Sequence, residues 1–114
     1  MIEQELWRPL KFRGVVSENY LISSYGQVKN KLTNRLLKLQ DSGYLHIRIR
    51  HNGVYTNVRI HRAVCETFNK RPEGCDYVNH KDSDKKNNHA SNLEWTTQRE
   101  NVIHSYNKRK EEVA

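Results

Sequence analysis

Cysteine is nearly absent from this 114-residue chain: Cys65 and Cys75 are the whole complement. Two thiols cannot build a disulfide framework or a zinc site of four thiolates. They read as reduced, partly buried groups, with one bridge between them as the alternative. No apolar run approaches the ~20 residues that span a bilayer. The first twenty residues hold Glu3, Glu5 and Glu18 and do not read as a secretory signal. Internal repeats and low-complexity tracts are missing as well. Apolar residues make up 35% and mean hydropathy is −0.98, so the core must be thin. It has to draw on two tryptophans, six tyrosines and two phenylalanines. Acid is the other deficit. Thirteen Asp+Glu against twenty Lys+Arg leave +7 and a pI near 9.6, which points to a polyanionic partner. Composition does not separate DNA from RNA or an acidic membrane surface. The length fits one domain, or two small units sharing a core.

Turn signals at Ser23-Ser24-Tyr25-Gly26 and Thr33-Asn34 divide the first forty residues into short predicted strands at 19–22, 27–29 and 36–39. The pattern sharpens after Tyr44. Leu45, Ile47 and Ile49 alternate with His46, Arg48 and Arg50, and Asn52-Gly53 is the signature of a two-residue type I′ hairpin. Pairing outward from that turn sets Arg50 opposite Tyr55, Arg48 opposite Asn57 and His46 opposite Arg59. On the other face Ile49 meets Thr56, Ile47 meets Val58 and Leu45 meets Ile60. One register thus sorts both strands into an apolar face and a basic one. Arg48, Arg50 and Arg59 beside Tyr55 suit a phosphate backbone; a plain solvated face is the alternative.

Residues 61–69 predict a short helix burying Ala63, Val64 and Phe68, broken by Arg71-Pro72-Glu73-Gly74. Two short strands follow, 77–80 and 93–95, separated by the polar loop KDSDKKNNHASN. Leu93 and Trp95 are expected in the core. Thr97 and Glu100 form a capping box that opens a helix over about 98–107. The mixed-charge tail, 108–114, is expected to fray. His51 and His89 read as solvated, and His61 as structural.

The run VNHKDSDKKNNHASNLEWTTQREN, residues 78–101, resembles the HNH endonuclease family in its phage and homing subgroup, and the likeness extends back to IHRAVCETF at 60–68. The N-terminal part, carried by Trp7, Tyr20 and Ser24-Tyr25-Gly26, resembles the small modular segment (NUMOD type 4) that precedes such nucleases. These resemblances imply an α+β fold of the ββα-metal type behind a β-rich N-terminal region. Region 1–43 would be that segment, and 44–107 the nuclease domain with its basic hairpin.

The activity implied is metal-dependent hydrolysis of a DNA phosphodiester, in a phage or mobile-element protein acting in the host cytoplasm. Double-stranded DNA would be the partner and Mg2+ or Mn2+ the cofactor. His80 would be the general base, since imidazole is basic yet largely neutral near pH 7.5. Asn79 and Asn101 would bind the ion through amide oxygens, with His104 one helical turn on from Asn101 as a replacement or support. Asn92, or less directly Asn88, would tie down the long loop so that His80 is aimed. Lys85, Lys86 and Arg99 join Arg48, Arg50, Tyr55 and Arg59 as candidate DNA contacts. Many family members carry Asp where this chain has Asn79. Two neutral amides should therefore hold Mg2+ poorly until phosphate completes the site. The alternatives are a catalytically idle DNA-binding module and an RNA-binding protein.

Overall fold

The computed structural model describes residues 4–104. The tail 108–114 and the end of the predicted 98–107 helix lie outside them. Three small antiparallel sheets surround one helix. The first contains β1 (Trp7–Phe12), β2 (Val15–Ser23) and β3 (Val28–Asn30) in that order. The second contains β4 (Gln40–Asp41), β5 (Leu45–His51) and β6 (Val54–Arg59). Helix α1 (Ile60–Phe68) follows directly, then β7 (Tyr77–His80), a 3-10 turn (Ala90–Asn92) and β8 (Leu93–Thr96), the last two strands pairing with each other. A final helix, α2, occupies 98–104 of the described residues. The architecture is α+β.

The β5–β6 hairpin has the predicted register: Arg50 faces Tyr55, Arg48 faces Asn57 and His46 faces Arg59. Asn52 and Gly53 both have positive φ, as a type I′ turn requires. Ile47, Ile49 and Val58 are buried while the arginines are exposed. The expected Leu45–Ile60 pair does not form, because Ile60 already begins α1. That helix has no glycine or proline to interrupt it, and Ile60, Ala63, Val64 and Phe68 share one stripe. It ends at Asn69, whose backbone is extended. The Asn69 side chain donates to the carbonyls of Ala90 (3.1 Å) and Leu93 (3.0 Å), and the Asn69 backbone carbonyl accepts from Trp95 Nε1 (3.1 Å). One asparagine thus fastens the end of α1 to the second half of the chain.

Two N-terminal expectations need correction. No strand is predicted before residue 19, yet β1 forms there with Pro9 in it. It survives at the sheet edge, where a missing N–H is tolerated, with an irregular register between Pro9 and Lys11. Residues 36–39 do not form a strand. Leu36 makes a lone bridge to Lys29, and Leu37 and Leu39 turn onto the core as the chain crosses between sheets. Regions 1–43 and 44–107 share a single core, in which Leu10, Phe12, Ile22 and Val28 pack with Ile47, Ile49, α1, Leu93 and Trp95. Cys65 (buried) and Cys75 (half-buried) are both free thiols.

Candidate active site

β7 and β8 pair with His80 opposite Leu93 and Asn79 opposite Glu94. Strand alternation puts His80 on one face and Asn79 on the other. On the His80 face lies α1, whose His61 ring centroid is 5.3 Å from that of His80. Tyr44, just before β5, stacks on His61 at 4.9 Å and reaches His80 at 6.4 Å. His80 is buried, and its Nε2 meets Asn88 Oδ1 at 2.8 Å. An amide oxygen only accepts, so Nε2 carries the imidazole proton and Nδ1 keeps its lone pair. His61 is 7% exposed, and its pKa is pushed down to about 3, first by burial and then by the nearby charges of His80, Arg59 and Arg62.

The polar loop is tied by its own side chains. Asn92 donates Nδ2 to Asp82 Oδ1 and to the Asn87 carbonyl, both at 2.9 Å, while its Oδ1 accepts the Asp82 N–H at 3.1 Å. Asn87 Nδ2 donates to Asp82 Oδ2 at 2.7 Å. These bonds, with Asn87's first, hold the Asp82 carboxyl below the usual carboxylate range. Asn92 therefore organises the loop, and the direct contact to His80 comes from Asn88. The sequence names both asparagines but not this division.

The N-terminal region braces the same spot. Ala90 N–H donates to the Ser24 carbonyl at 2.7 Å, and Tyr25 stacks on His89 at 4.6 Å. A Cβ on Gly26 would come within 3.0 Å of Asn88 Cβ. His89 and His51 are thus not simply solvated. His89 Nδ1 caps the 3-10 turn through Ser91, and His51 packs edge-on against Phe12 at 5.5 Å.

On the opposite face Asn79 is buried and donates Nδ2 to Glu94 Oε1 at 2.9 Å. Helix α2 begins with the predicted capping box: Glu100 N–H donates to Thr97 Oγ1, and Thr97 N–H to a Glu100 carboxylate oxygen. His104 docks α2 on the loop, its Nε2 lying 2.9 Å from Ser83 Oγ. Asn101 is half-buried one turn earlier on that side of α2.

The basic residues gather around two tyrosines. Arg48 (4.8 Å) and Arg50 (5.7 Å) lie over exposed Tyr55. Arg59 (5.4 Å) and Lys85 (5.0 Å) lie over Tyr44, beside the two histidines. A cleft of about 500 Å³ opens there, lined in part by Arg13, Tyr44, Arg59 and Arg62. Arg13 and Arg62 escaped the sequence reading because only the fold brings them to this cleft, where Arg13 donates to the Asn57 carbonyl and Arg62 to that of Asp76. Lys86 makes an ion pair with Asp41 at 2.8 Å, anchoring the loop to β4, and Arg99 is exposed on α2.

Residues 58–103 match the family model of an HNH endonuclease. A solved structure of I-HmuI, described as an HNH homing endonuclease with DNA binding and cleavage, superposes with a TM-score of 0.77 and 31% identity. That match covers 90% of this chain and 59% of the other. Residues 58–103 are an HNH endonuclease domain. The DNA endonuclease I-HmuI of Bacillus phage SP01 is 33% identical to this HNH chain over 99 residues, 84% of it and 55% of the phage protein. An uncharacterised HNH endonuclease of Acanthamoeba polyphaga mimivirus, L245, is 42% identical over 90 residues, 77% of the chain but 27% of its own length. The HNH chain thus spans about a quarter of the viral relative and little more than half of the phage one.

Proposed function

We propose that this chain is a metal-dependent endonuclease that hydrolyses phosphodiester bonds of duplex DNA, nicking or cutting it, with His80 as general base. The observation that carries the reading is the buried His80–Asn88 pair, set beside Tyr44 with its two cations. Nδ1 of His80 takes the proton of the attacking water, while Asn88 holds the opposite nitrogen and fixes the tautomer. His61, neutral at working pH, supports the ring without adding a charge that would oppose its protonation. Arg59 and Lys85 draw the phosphate backbone towards the base, and Arg48, Arg50 and Tyr55 extend that contact along the hairpin. The viral and phage relatives support a source in a phage or mobile element, with action in the host cytoplasm.

The donor set fits a hard divalent cation such as Mg2+ or Mn2+. Asn79 and Asn101 offer amide oxygens, and the Asn79 nitrogen is already committed to Glu94. Among the described residues no three His, Cys, Asp or Glu gather into a cage. The phosphate is therefore needed to complete the coordination, and affinity without DNA is low. His104 docks α2 through Ser83 and joins the ligands only if that bond opens. When bound between Asn79, Asn101 and the phosphate, such an ion would supply Lewis-acid stabilisation of the developing charge.

Supercoiled plasmid incubated with Mg2+ or Mn2+ tests this directly. The wild-type chain should nick or linearise it, and His80→Ala should lose on the order of 100-fold in rate while still retarding duplex DNA. Equal rates would remove His80 as the base; no cleavage by either protein would leave an idle DNA-binding module.

A further inference from the structure

We propose that Glu94 is a positioning residue for the metal site, acting through Asn79 by fixing which end of that amide faces the ion. The idea rests on the nuclease reading and extends it to the hydrogen-bond partner of a proposed ligand. Asn79 and Glu94 are direct cross-strand partners, and Asn79 Nδ2 donates to Glu94 Oε1 at 2.9 Å. An asparagine amide is nearly symmetric in shape, so packing alone does not decide whether oxygen or nitrogen points into a site. A carboxylate decides it, because an ionised carboxylate accepts hydrogen bonds and cannot donate them. Only the NH2 end can face Glu94, which leaves Oδ1 at the opposite end as the atom offered to a cation. An amide turned the other way would present two N–H hydrogens to a positive ion, which abolishes ligation.

An aspartate at position 79 would need no such partner, since both of its oxygens can ligate. Beside Glu94 it would instead set two carboxylates against each other across the ladder, an unfavourable like-charge pair. Asparagine at 79 and glutamate at 94 therefore form a matched unit, with the negative charge moved one shell outward. Outer partners of this kind are commonly worth 10- to 100-fold in metal affinity.

The test is Mn2+ binding to the full chain on a 30-base-pair duplex, in a His80→Ala background that slows cleavage of the DNA. Electron paramagnetic resonance reads the free ion, and duplex alone is subtracted. Glu94→Gln can turn its own amide and release Asn79, so it should weaken Mn2+ binding about tenfold. In an Asn79→Asp background the same substitution should cost less than about twofold. Equal losses in the two backgrounds would show that Glu94 acts through bulk charge or folding and would overturn the inference. So would no loss in either. A second measurement needs no variant at position 94. The Asn79 side-chain NH2, assigned by NMR in the unsubstituted chain, should exchange slowly, and rapid exchange would equally overturn it. Failure of the parent complex to bind Mn2+ at all would instead remove the metal-dependent nuclease reading beneath it.

Discussion

His61 is a buried side chain packed against the proposed base. It is enclosed by Tyr44, His80, Arg59 and Arg62, and burial with those charges keeps it neutral down to about pH 3. In the unfolded chain an imidazole titrates near 6.5. Between these values the unfolded state binds a proton that the folded state refuses. The stabilising contribution is therefore complete above pH 6.5 and shrinks as pH falls towards 3. The slope from one such group approaches about 1.4 kcal/mol per pH unit. Thermal melts between pH 6.5 and 5, above the range where Asp41 and Asp82 titrate, should show Tm falling with pH. His61→Phe, which keeps a ring against Tyr44, should flatten that dependence. Superimposable curves for the two proteins would mean that His61 protonates in place.

Among the elements, the Ser23–Gln27 turn is the one whose role reaches furthest from its own sheet. Gly26 has φ +86, and an added Cβ would sit 3.0 Å from Asn88 Cβ, 3.2 Å from the Asn88 carbonyl oxygen and 3.3 Å from Ile60 Cγ2. Gly26→Ala thus meets backbone strain of about 1–2 kcal/mol and a collision with the residue that holds His80. The expected outcome is a lower Tm and a nicking rate down about tenfold, as befits the proposed base moved by a fraction of an ångström. Gly74 is the control, with φ +82 and no atom within 4 Å of its added Cβ, so Gly74→Ala should lower Tm but spare the rate. Equal rates for the two variants would deny the turn its bracing role. This contact also marks where sequence reading stops. The β5–β6 hairpin was legible because Asn52-Gly53 and strict alternation are local signals. The division of labour between Asn88 and Asn92 was not, because both lie in a loop whose path is set by Asp82 and by a turn some sixty residues earlier. β1 was not legible, because its residues carry no clean alternation and Pro9 is tolerated only at the edge position the sheet gives it.

At the scale of the whole molecule, an excess of seven positive charges is distributed with a purpose that composition could not reveal. One cluster sits over Tyr44 beside His80, and another over Tyr55 on the outer hairpin face; Arg13 and Arg62, from distant parts of the chain, line the cleft next to the first. Lys86 is excluded from this count of available cations, since Asp41 already pairs with it. Cations stacked on a half-buried tyrosine (Tyr44) and an exposed one (Tyr55) keep their charge and much of their hydration, so a phosphate can meet them at little desolvation cost. Duplex binding should then release counterions, with log K falling against log salt by about 0.9 for each phosphate neutralised. Arg48→Ala combined with Arg50→Ala should flatten that slope by up to about 2, measured by fluorescence anisotropy from 50 to 300 mM KCl. The loss should be nearly independent of duplex sequence, because these side chains lie on a strand face suited to the backbone rather than to base edges. A slope identical to the parent's would return the outer face of β5 and β6 to solvent and leave the Tyr44 cluster to carry the whole electrostatic contact.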